Sequence, residues 1–183
     1  FNPIHNGHLI IAEAAIKSLK LDKIIFVPSY LPPHKKTSDI IEAEDRLNMV
    51  KLATRHNEDF EVSDLEIKRK GTSYTVDTIK ELKSRFNDDD EFYFIIGSDS
   101  IPELKKWKDI DNLLKIIKFV AVNRPGYSFR GIPKEALRIQ IKGIEISSSN
   151  IRKLLKENKS IHSLVPEAAE QYIIKKRLYK NAK

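Results

Sequence analysis

The spacing of apolar residues along the chain predicts helices and strands in alternation. Just after Gly7, apolar residues recur at helical spacing, which predicts a first helix that begins near Asn6 or Gly7 and uses Leu9, Ile10, Ala12, Ala15, Ile16 and Leu19. Residues 23–28 form a short apolar run with β-branched side chains, as is typical of a buried parallel strand. A helix followed by such a strand indicates an α/β sheet.

The later pattern predicts more elements of both kinds. Helices are predicted over residues 42–56, from 71–78 through Phe86, from Ser147 through Leu155, and over 166–179. An extended stretch is predicted over 60–67, and strands over 91–97, 118–122 and 139–146. The predicted inward side chains are Leu47, Val50, Leu52 and Ala53 in one helix, and Ala169, Ile173, Ile174 and Leu178 in the last. We expect residues 1–183 to form a single domain with a helical C-terminal portion from about residue 147.

The first helix begins in a turn that holds two histidines. His5 and His8 stand three residues apart around Gly7, so both lie on the first turn of the predicted helix. Free backbone N–H groups and the positive end of the helix dipole favour an anion there. Each imidazole can donate to a phosphate oxygen, and Gly7 lets a phosphate approach the backbone. The turn favours a polyphosphate over two alternatives. One is a histidine that only donates to a carbonyl; the other is a metal site, which lacks a third ligand in this stretch.

A second helix start near residue 147 has similar chemistry. Ser147, Ser148 and Ser149 supply hydroxyl caps, and Arg152 is a forked donor suited to phosphate oxygens. Serine-rich caps are common, so this turn alone is weak evidence. Two phosphate-seeking turns at opposite ends of one sequence indicate a triphosphate held between them.

Further candidate residues follow the predicted strands, where open α/β sheets bind ligands. Gly97 lets a ligand meet the backbone, and Asp99 is placed to accept hydrogen bonds from sugar hydroxyls. Trp107, the only tryptophan, either fills the core or stacks on an aromatic ring. Arg124 lies near the same edge. Lys35, in a proline-stiffened loop after the first strand, is either a ligand contact or a solvated lysine.

The helix start over residues 71–78 is crowded with hydroxyl groups and one acid. Helix capping alone would explain these residues. The same turn can also present free N–H groups to a substrate carboxylate, and the basic residues 68–70 before it strengthen that interpretation only slightly.

Composition narrows the class of protein. Zero cysteines exclude disulfides, thiolate catalysis and cysteine zinc sites, and are compatible with a reducing cytosol. No apolar run reaches the ~18 residues that span a bilayer. The net charge of +7 suits a nucleic-acid partner, but the lysines are interleaved with Asp and Glu, so solvated helix faces explain most of them. A smaller anionic substrate would use the same positive field.

Residues 1–11 resemble the nucleotide-binding signature of the nucleotidyltransferase superfamily, whose members join a nucleoside triphosphate to a phosphate acceptor and release pyrophosphate. That signature usually begins with a strand and a glycine-rich turn, so we expect the natural protein to begin before Phe1, with a first strand that this sequence lacks. Asn2 stands where the superfamily often has Asp.

Within the superfamily, the chain resembles the bacterial nicotinate mononucleotide adenylyltransferase family over nearly its whole length. The residues that carry the resemblance are 1–9, 27–29 with 32–35, 73–78, 96–100 with Trp107, 123–127, 146–149 with 151–152, and 165–166. The Ser-Tyr-Thr turn at 73–75, together with the Gly-x-Asp motif at 97–99 and Trp107, distinguishes this family from the rest of the superfamily.

The resemblance implies a Rossmann-like, doubly wound parallel sheet with helices on both faces. It implies a cytoplasmic enzyme of NAD biosynthesis that transfers the AMP moiety of ATP to nicotinate mononucleotide. Pyrophosphate leaves, and Mg²⁺ is carried by phosphates and water rather than by a carboxylate cage. The implied catalytic residues are His5, His8 and Arg152. The implied ATP contacts are Phe1, Asn2, Gly7, Lys35, Arg124, Ser148, Ser149 and Ile151.

The same resemblance places the mononucleotide on a second group of residues. These are Tyr74, Thr75, Gly97, Asp99, Trp107 and Lys108. Asp99 and Gly97 would meet the ribose, Trp107 would stack on the pyridine ring, and the backbone amides of Thr75 and Lys108 would take the carboxylate. Lys108 differs from the aromatic residue often found there, which a backbone contact tolerates.

Several alternatives stay open from the sequence. The acceptor could be nicotinamide mononucleotide, or another substrate of a small-molecule adenylyl- or cytidylyltransferase on the same scaffold. Thr75 and Trp107 argue against the pantetheine substrate, which has no ring to stack. A basic nucleic-acid-binding domain is the remote alternative; it would need its charge clustered on one face, which the sequence does not show. We expect no membrane partner, and a homo-oligomer is left open.

Overall fold

The computed structural model describes residues 1–33, 40–124, 126–141 and 145–180. Its helices and strands are, in chain order, α1 (Asn6–Leu19), β1 (Ile24–Phe26), α2 (Ala43–Thr54), β2 (Phe60–Val62), α3 (Leu65–Arg69), α4 (Thr75–Lys83), β3 (Tyr93–Gly97), a 3₁₀ helix (Ser98–Lys106), α5 (Ile110–Ile116), β4 (Lys118–Val122), β5 (Leu137–Ile139), α6 (Ser148–Lys156) and α7 (Glu167–Lys175). Among the described residues, no helix combines the length and the apolar character needed to cross a membrane.

The chain divides into two compact units. Unit 1 comprises Phe1–Thr72 together with Ile146–Lys183, and unit 2 is the continuous segment Ser73–Glu145. The described residues beyond 147 include the helices α6 and α7. The single domain over residues 1–183 stays a prediction.

Unit 1 contains a parallel strand pair and a core that supports both predicted phosphate-binding turns. Strand β1 pairs with β2 in the register Ile24 to Phe60 and Phe26 to Val62. The core side chains are Ile4, Ala12, Phe26, Met49, Val50, Ile151, Leu155, Ile161, Val165, Ala169 and Ile173. Ile4 precedes the histidine turn, Ile151 lies in the first turn of α6, and both are fully buried. Burial of such a side chain contributes roughly 1.5–3 kcal/mol, so core packing fixes the position of each turn.

Unit 2 is built on a three-stranded parallel sheet in the order β3, β4, β5. The middle strand β4 is buried at Phe119, Val120, Ala121 and Val122, as expected of a parallel strand covered on both faces. Gly97 pairs with Val122, and Val122 pairs with Ile139, so the three strands end at one edge. The segments that follow β3 and β4 are therefore neighbours.

Five predictions from the sequence pattern need correction. The stretch 60–67 is extended only through Val62, because a helical turn begins at Asp64: the N–H of Lys68 donates to the Asp64 carbonyl oxygen at 2.9 Å, and the two side chains form an ion pair of 3.0 Å. Helix α4 ends at Lys83, before Phe86, and the last strand is Leu137–Ile139 rather than 139–146, of which residues 142–144 lie outside the described part of the chain. Helix α7 ends at Lys175 rather than at Tyr179, and its Ile174 is exposed rather than inward, because Ile174 lies about 100° around the helix from the buried Ile173.

Candidate functional site

The histidine turn has the helical geometry predicted for it. His5 is the N-cap residue of α1, with an extended backbone, and is 1% exposed. The backbone N–H of His5 donates to Nδ1 of His8 at 3.1 Å, and the N–H of His8 donates to the carbonyl oxygen of His5 at 2.9 Å. The two imidazole rings stack with centroids 3.7 Å apart, and Phe1 meets the edge of His8 at 4.9 Å. Both histidines therefore have fixed ring positions.

The hydrogen bond to His8 also fixes where its proton lies. Nδ1 of His8 accepts from a backbone N–H, so the proton of the neutral ring is on Nε2. Nε2 is then the nitrogen that can donate to an anion. The fold thus selects the donor tautomer that a phosphate ligand requires.

The start of α6 is bonded directly to the histidine turn. Ser147 caps α6 by accepting from the N–H of Asn150 at 3.2 Å. The Ser148 hydroxyl donates to the carbonyl oxygen of Pro3 at 2.8 Å, and Nη1 of Arg152 donates to that of Asn2 at 2.9 Å. Nη2 of Arg152 donates to the Ser149 hydroxyl at 3.3 Å. The two turns predicted to hold phosphates are therefore brought together.

Both helix starts differ from the other helices in charge. Helices α1 and α6 are the described helices whose first turns hold no acidic residue. Every other described helix has Asp or Glu there. Because an acid near a helix N-terminus is stabilised by the macrodipole, its absence from two adjoining N-termini leaves positive potential that an anionic ligand can use.

The remaining predicted ATP residues have mixed placements. Phe1 packs on His8 and on Phe26, where the ring centroids are 5.7 Å apart, and Gly7 is buried within α1. Ile151 is fully buried, and its N–H donates to the Ser147 carbonyl oxygen. Only its position in the turn therefore supports the prediction that Ile151 contacts ATP. Lys35 lies outside the described residues.

In unit 2, Gly97, Asp99 and Arg124 form a cluster at the sheet edge. Gly97 has φ −69° and ψ 144°, which any residue adopts, but a Cβ added there would lie 2.3 Å from Oδ1 of Asp99. The glycine therefore provides space for the Asp99 carboxylate. Nε of Arg124 lies 3.9 Å from the same oxygen, and the N–H of Arg124 donates to the buried Ser98 hydroxyl at 2.8 Å. The carboxylate is thus held beside one cation at the end of β3.

The start of α4 supplies the predicted carboxylate turn. Thr75 is the first helical residue, so its N–H has no acceptor within the helix. Asp77 puts a negative charge in this turn, and Nζ of Lys108 offsets it at 2.9 Å from Oδ2 while lying 4.6 Å from the centroid of the Tyr74 ring. Trp107 is half-buried and meets Phe94 edge to face at 5.5 Å, so part of its surface packs and part is accessible.

Three residues that hold the predicted site residues in place were not identified from the sequence. Arg46 is 2% exposed and donates to the carbonyl oxygens of Ser29, Tyr30 and Ile41, and so joins the described chain before residue 34 to the described chain after residue 39. Burial lowers the pKa of Arg46 from its ordinary value, although the nearby carboxylates of Glu42 and Glu66 act in the opposite direction. Position 46 falls on the apolar stripe of α2, so periodicity could have identified a buried arginine.

The other two unpredicted residues are Asn123 and Tyr179. The Asn123 side chain pairs with both backbone groups of Ile141, at 3.0 and 2.6 Å, and so ties the end of β4 to the chain after β5. The Tyr179 hydroxyl donates to Oδ1 of Asn2 at 3.0 Å. The sequence pattern predicts that the last helix continues through Tyr179, and it contains no signal that pairs residue 179 with residue 2.

No group of three or more His, Cys, Asp or Glu side chains placed to hold a metal occurs in the described part of the chain. The donors at the joined turns are imidazole, hydroxyl and guanidinium groups. Such donors suit the oxygens of a phosphate, which can itself carry a divalent cation.

Comparison with known proteins gives consistent results. The cytidylyltransferase-like family model matches residues 1–154. A protein of Moorella thermoacetica is 44% identical over 98% of this chain and 88% of its own length, and one of Shouchella clausii is 44% identical over 98% and 92%. Both carry the name "Probable nicotinate-nucleotide adenylyltransferase".

Solved structures agree on the fold. Plasmodium falciparum nicotinic acid mononucleotide adenylyltransferase complexed with NaAD matches 100% of this chain and 95% of that chain with a TM-score of 0.82 and 23% identity. The same enzyme complexed with APC has a TM-score of 0.80. The predicted Rossmann-like α/β fold with parallel strands is confirmed.

Proposed function

The chain belongs to the cytidylyltransferase-like family, and from that premise we propose that it transfers the AMP moiety of ATP to nicotinate mononucleotide. The products are nicotinate adenine dinucleotide and pyrophosphate, and the reaction serves NAD biosynthesis. The observation that carries the proposal is the agreement of curated relatives, 40–44% identical over 98% of the chain, on one activity. The joined, acid-free helix starts of unit 1 supply the anion-binding geometry that this activity needs.

We assign the triphosphate to residues of unit 1. Nε2 of His8, the imidazole of His5 and the guanidinium of Arg152 would donate to phosphate oxygens, and the Ser149 hydroxyl would assist. Phe1, Asn2, Gly7, Ser148 and Ile151 would shape this turn, and Lys35 would add positive charge. The support for this assignment is the set of hydrogen bonds between the two turns.

We assign the mononucleotide to residues of unit 2. Asp99, held over Gly97, would accept from ribose hydroxyls, and Trp107 with Tyr74 would offer aromatic surface to the pyridine ring. The backbone N–H groups of Thr75 and Lys108 would donate to the carboxylate. The space that Gly97 leaves for Asp99 supports this assignment, because a side chain at residue 97 would displace the carboxylate.

The chemistry then needs no covalent protein nucleophile. A phosphate oxygen of the mononucleotide attacks the α-phosphorus of ATP, the new P–O bond forms, and the bond between the α-phosphorus and the bridging oxygen to the β-phosphorus breaks. The departing pyrophosphate takes the electron pair. His5, His8 and Arg152 lower the barrier by alignment and by stabilising the charge that develops on the triphosphate oxygens.

Nucleotidyltransferases of this family generally use a divalent metal with the triphosphate. We infer that the metal is Mg²⁺, which would neutralise phosphate charge during transfer. Phosphate oxygens and water would hold this ion, and the donors of the joined turns would bind the same phosphates. The protein groups themselves bind and orient the phosphates.

The first experiment measures pyrophosphate release from ATP and Mg²⁺ with nicotinate mononucleotide or nicotinamide mononucleotide as acceptor. We expect a preference of tenfold or more for the nicotinate form, the size of one hydrogen bond to a charged group. Equal use of both acceptors would contradict the carboxylate assignment. Absence of turnover with either would contradict the function.

A pair of variants at Thr75 tests the carboxylate contact directly. Thr75→Pro removes the backbone N–H at the first helical position, where proline is well tolerated, and Tyr74 already has the ψ of 131° that a following proline favours. Thr75→Ala keeps the N–H and serves as the matched control. We expect only the proline variant to raise the KM for nicotinate mononucleotide, by about tenfold.

A further inference from the structure

The chain after α7 turns sharply and brings Tyr179 to the histidine turn. The N–H of Leu178 donates to the carbonyl oxygen of Ile173, and the N–H of Arg177 donates to that of Ile174. Arg177 has φ 53°, so the helix ends in a Schellman motif with a left-handed residue. Leu178 packs on the core of unit 1 beside Ile173. The motif therefore sets the direction in which the next residue, Tyr179, leaves the helix.

Tyr179 and Arg152 both bind Asn2. The Tyr179 hydroxyl donates to Oδ1 of Asn2 at 3.0 Å, and Nη1 of Arg152 donates to the Asn2 carbonyl oxygen at 2.9 Å. Asn2 is 7% exposed. Its side chain and its main chain are thus each held by a separate donor, and the residue next to it, Pro3, is held by Ser148.

Burial keeps the Tyr179 hydroxyl protonated. Burial raises the pKa of Tyr179 above its ordinary value, and the nearby Asp45 acts in the same direction, while Arg152 and Arg46 oppose it. The phenol is therefore a hydrogen-bond donor at every working pH. Its proton goes to Oδ1 of Asn2, so this bond persists across the working pH range.

We propose that Tyr179 is a positioning residue for the nucleotide. It acts through Asn2: the Tyr179 hydroxyl fixes the Asn2 side chain while Arg152 fixes the Asn2 carbonyl oxygen, and together they hold the turn that contains His5 and His8. The inference rests on the proposed function in that the ligand of this turn is ATP. It adds a residue from the chain after α7 to the nucleotide site.

The test compares two variants that each remove one tyrosine hydroxyl from the same segment. Tyr179→Phe removes the donor to Asn2. Tyr172→Phe is the matched control, because the Tyr172 hydroxyl donates instead to Asp45 at 2.7 Å. Binding of α,β-methylene-ATP with Mg²⁺ is measured by titration calorimetry, and the KM values of both substrates are measured from pyrophosphate release. Circular dichroism checks that both variants are folded.

We expect Tyr179→Phe to raise the Kd of the analogue and the KM for ATP about fivefold, as for loss of one hydrogen bond. The KM for nicotinate mononucleotide should stay within about twofold, and Tyr172→Phe should change none of these values. The same comparison is then made in the Asn2→Ala background. There Tyr179→Phe should have no further effect, because the group through which it acts is gone.

Three results would overturn the inference: an unchanged Kd in Tyr179→Phe, an equal loss in Tyr172→Phe, or a full effect of Tyr179→Phe in the Asn2→Ala background. These outcomes are separate from failure of the proposed function. An inactive wild-type protein whose binding of the analogue depends on Tyr179 would refute the reaction and support the inference. An active enzyme with unchanged analogue affinity in Tyr179→Phe would do the opposite.

Discussion

Replacement of Gly97 by alanine is expected to damage the mononucleotide site while leaving the fold intact. The backbone of Gly97 has φ −69° and ψ 144°, so alanine fits it without strain. The added Cβ would lie 2.3 Å from Oδ1 of Asp99 and 3.4 Å from Cγ of Arg124. The Arg124 contact is tight but adjustable. The Asp99 contact is too short to persist, so the carboxylate must move.

The size of the effect follows from that distance. An ordinary contact between a methyl carbon and an oxygen needs about 1 Å more space, and the partly exposed Asp99 side chain can take it by rotating toward solvent. Loss of a hydrogen bond from a carboxylate to a ribose hydroxyl costs roughly 1.5–3 kcal/mol, which corresponds to about 10- to 100-fold in affinity. Alanine also restricts the unfolded chain more than glycine, which stabilises the fold by about 0.4–1 kcal/mol.

The assay is steady-state pyrophosphate release with each substrate varied separately, together with thermal unfolding. We expect the KM for nicotinate mononucleotide to rise at least tenfold, the KM for ATP to stay within about twofold, and the Tm to be equal or higher. Asp99→Asn removes the charge without the clash, and the double variant should be no worse than the more defective single one. A variant with an unchanged KM, or one whose only defect is a lower Tm, would refute the reasoning.

Three further predictions concern unit 1. His8→Ala or Arg152→Ala should each lower kcat by roughly 10², as for loss of a donor that stabilises transition-state charge, measured at saturating substrates. Arg46→Met should lower the free energy of unfolding by about 3 kcal/mol in urea denaturation, because three loop carbonyls lose their donor. The raised pKa of Tyr179 stabilises the fold fully below pH about 10, and this contribution should decline above that pH; Tyr179→Phe should flatten the decline in alkaline unfolding curves.

Each of these predictions has a control or a contrary result. His162→Ala and Arg85→Ala remove an exposed histidine and an exposed arginine that form surface ion pairs, so both should keep full kcat. Loss of stability alone in the His8 or Arg152 variants would argue against catalysis. An Arg46→Met protein as stable as wild type would mean that the loop carbonyls find other donors, and an identical alkaline slope in Tyr179→Phe would place the titrating group elsewhere.

The elements with a strong local signal could be predicted from the sequence. Helix α1 begins at Asn6 as its apolar spacing indicates, and β3 and β4 lie inside their predicted ranges. The ends of the last strand are harder to predict, because β5 is only three residues long and does not lie in a long apolar run. Alternating Leu65 and Ile67 suit a strand equally well, and in the sequence the four-residue spacing of Asp64 and Lys68 is a weak signal for the helical turn.

The parts of the candidate site whose functional groups all lie within one turn could be predicted from the sequence. The histidine turn and the serine turn each have their chemistry within a few residues, and the structure brings them together. Tyr179 and Arg46 act through partners far away along the chain or through main-chain carbonyls, which leave no pattern in the sequence. The sequence indicates that Gly97 allows the close approach of a ligand. In the structure, the Asp99 carboxylate occupies the space beside Gly97.

The division of unit 1 into two separated segments has a consequence for synthesis. Unit 2 is one continuous stretch, Ser73–Glu145, and all of it leaves the ribosome before α6 and α7 do. The bonds that complete the histidine turn join residues 145, 150 and 177 positions apart. Closing such long loops is slow relative to local folding. During translation the half assigned to the mononucleotide can therefore form first, and the half assigned to ATP must wait for the segment that carries Tyr179.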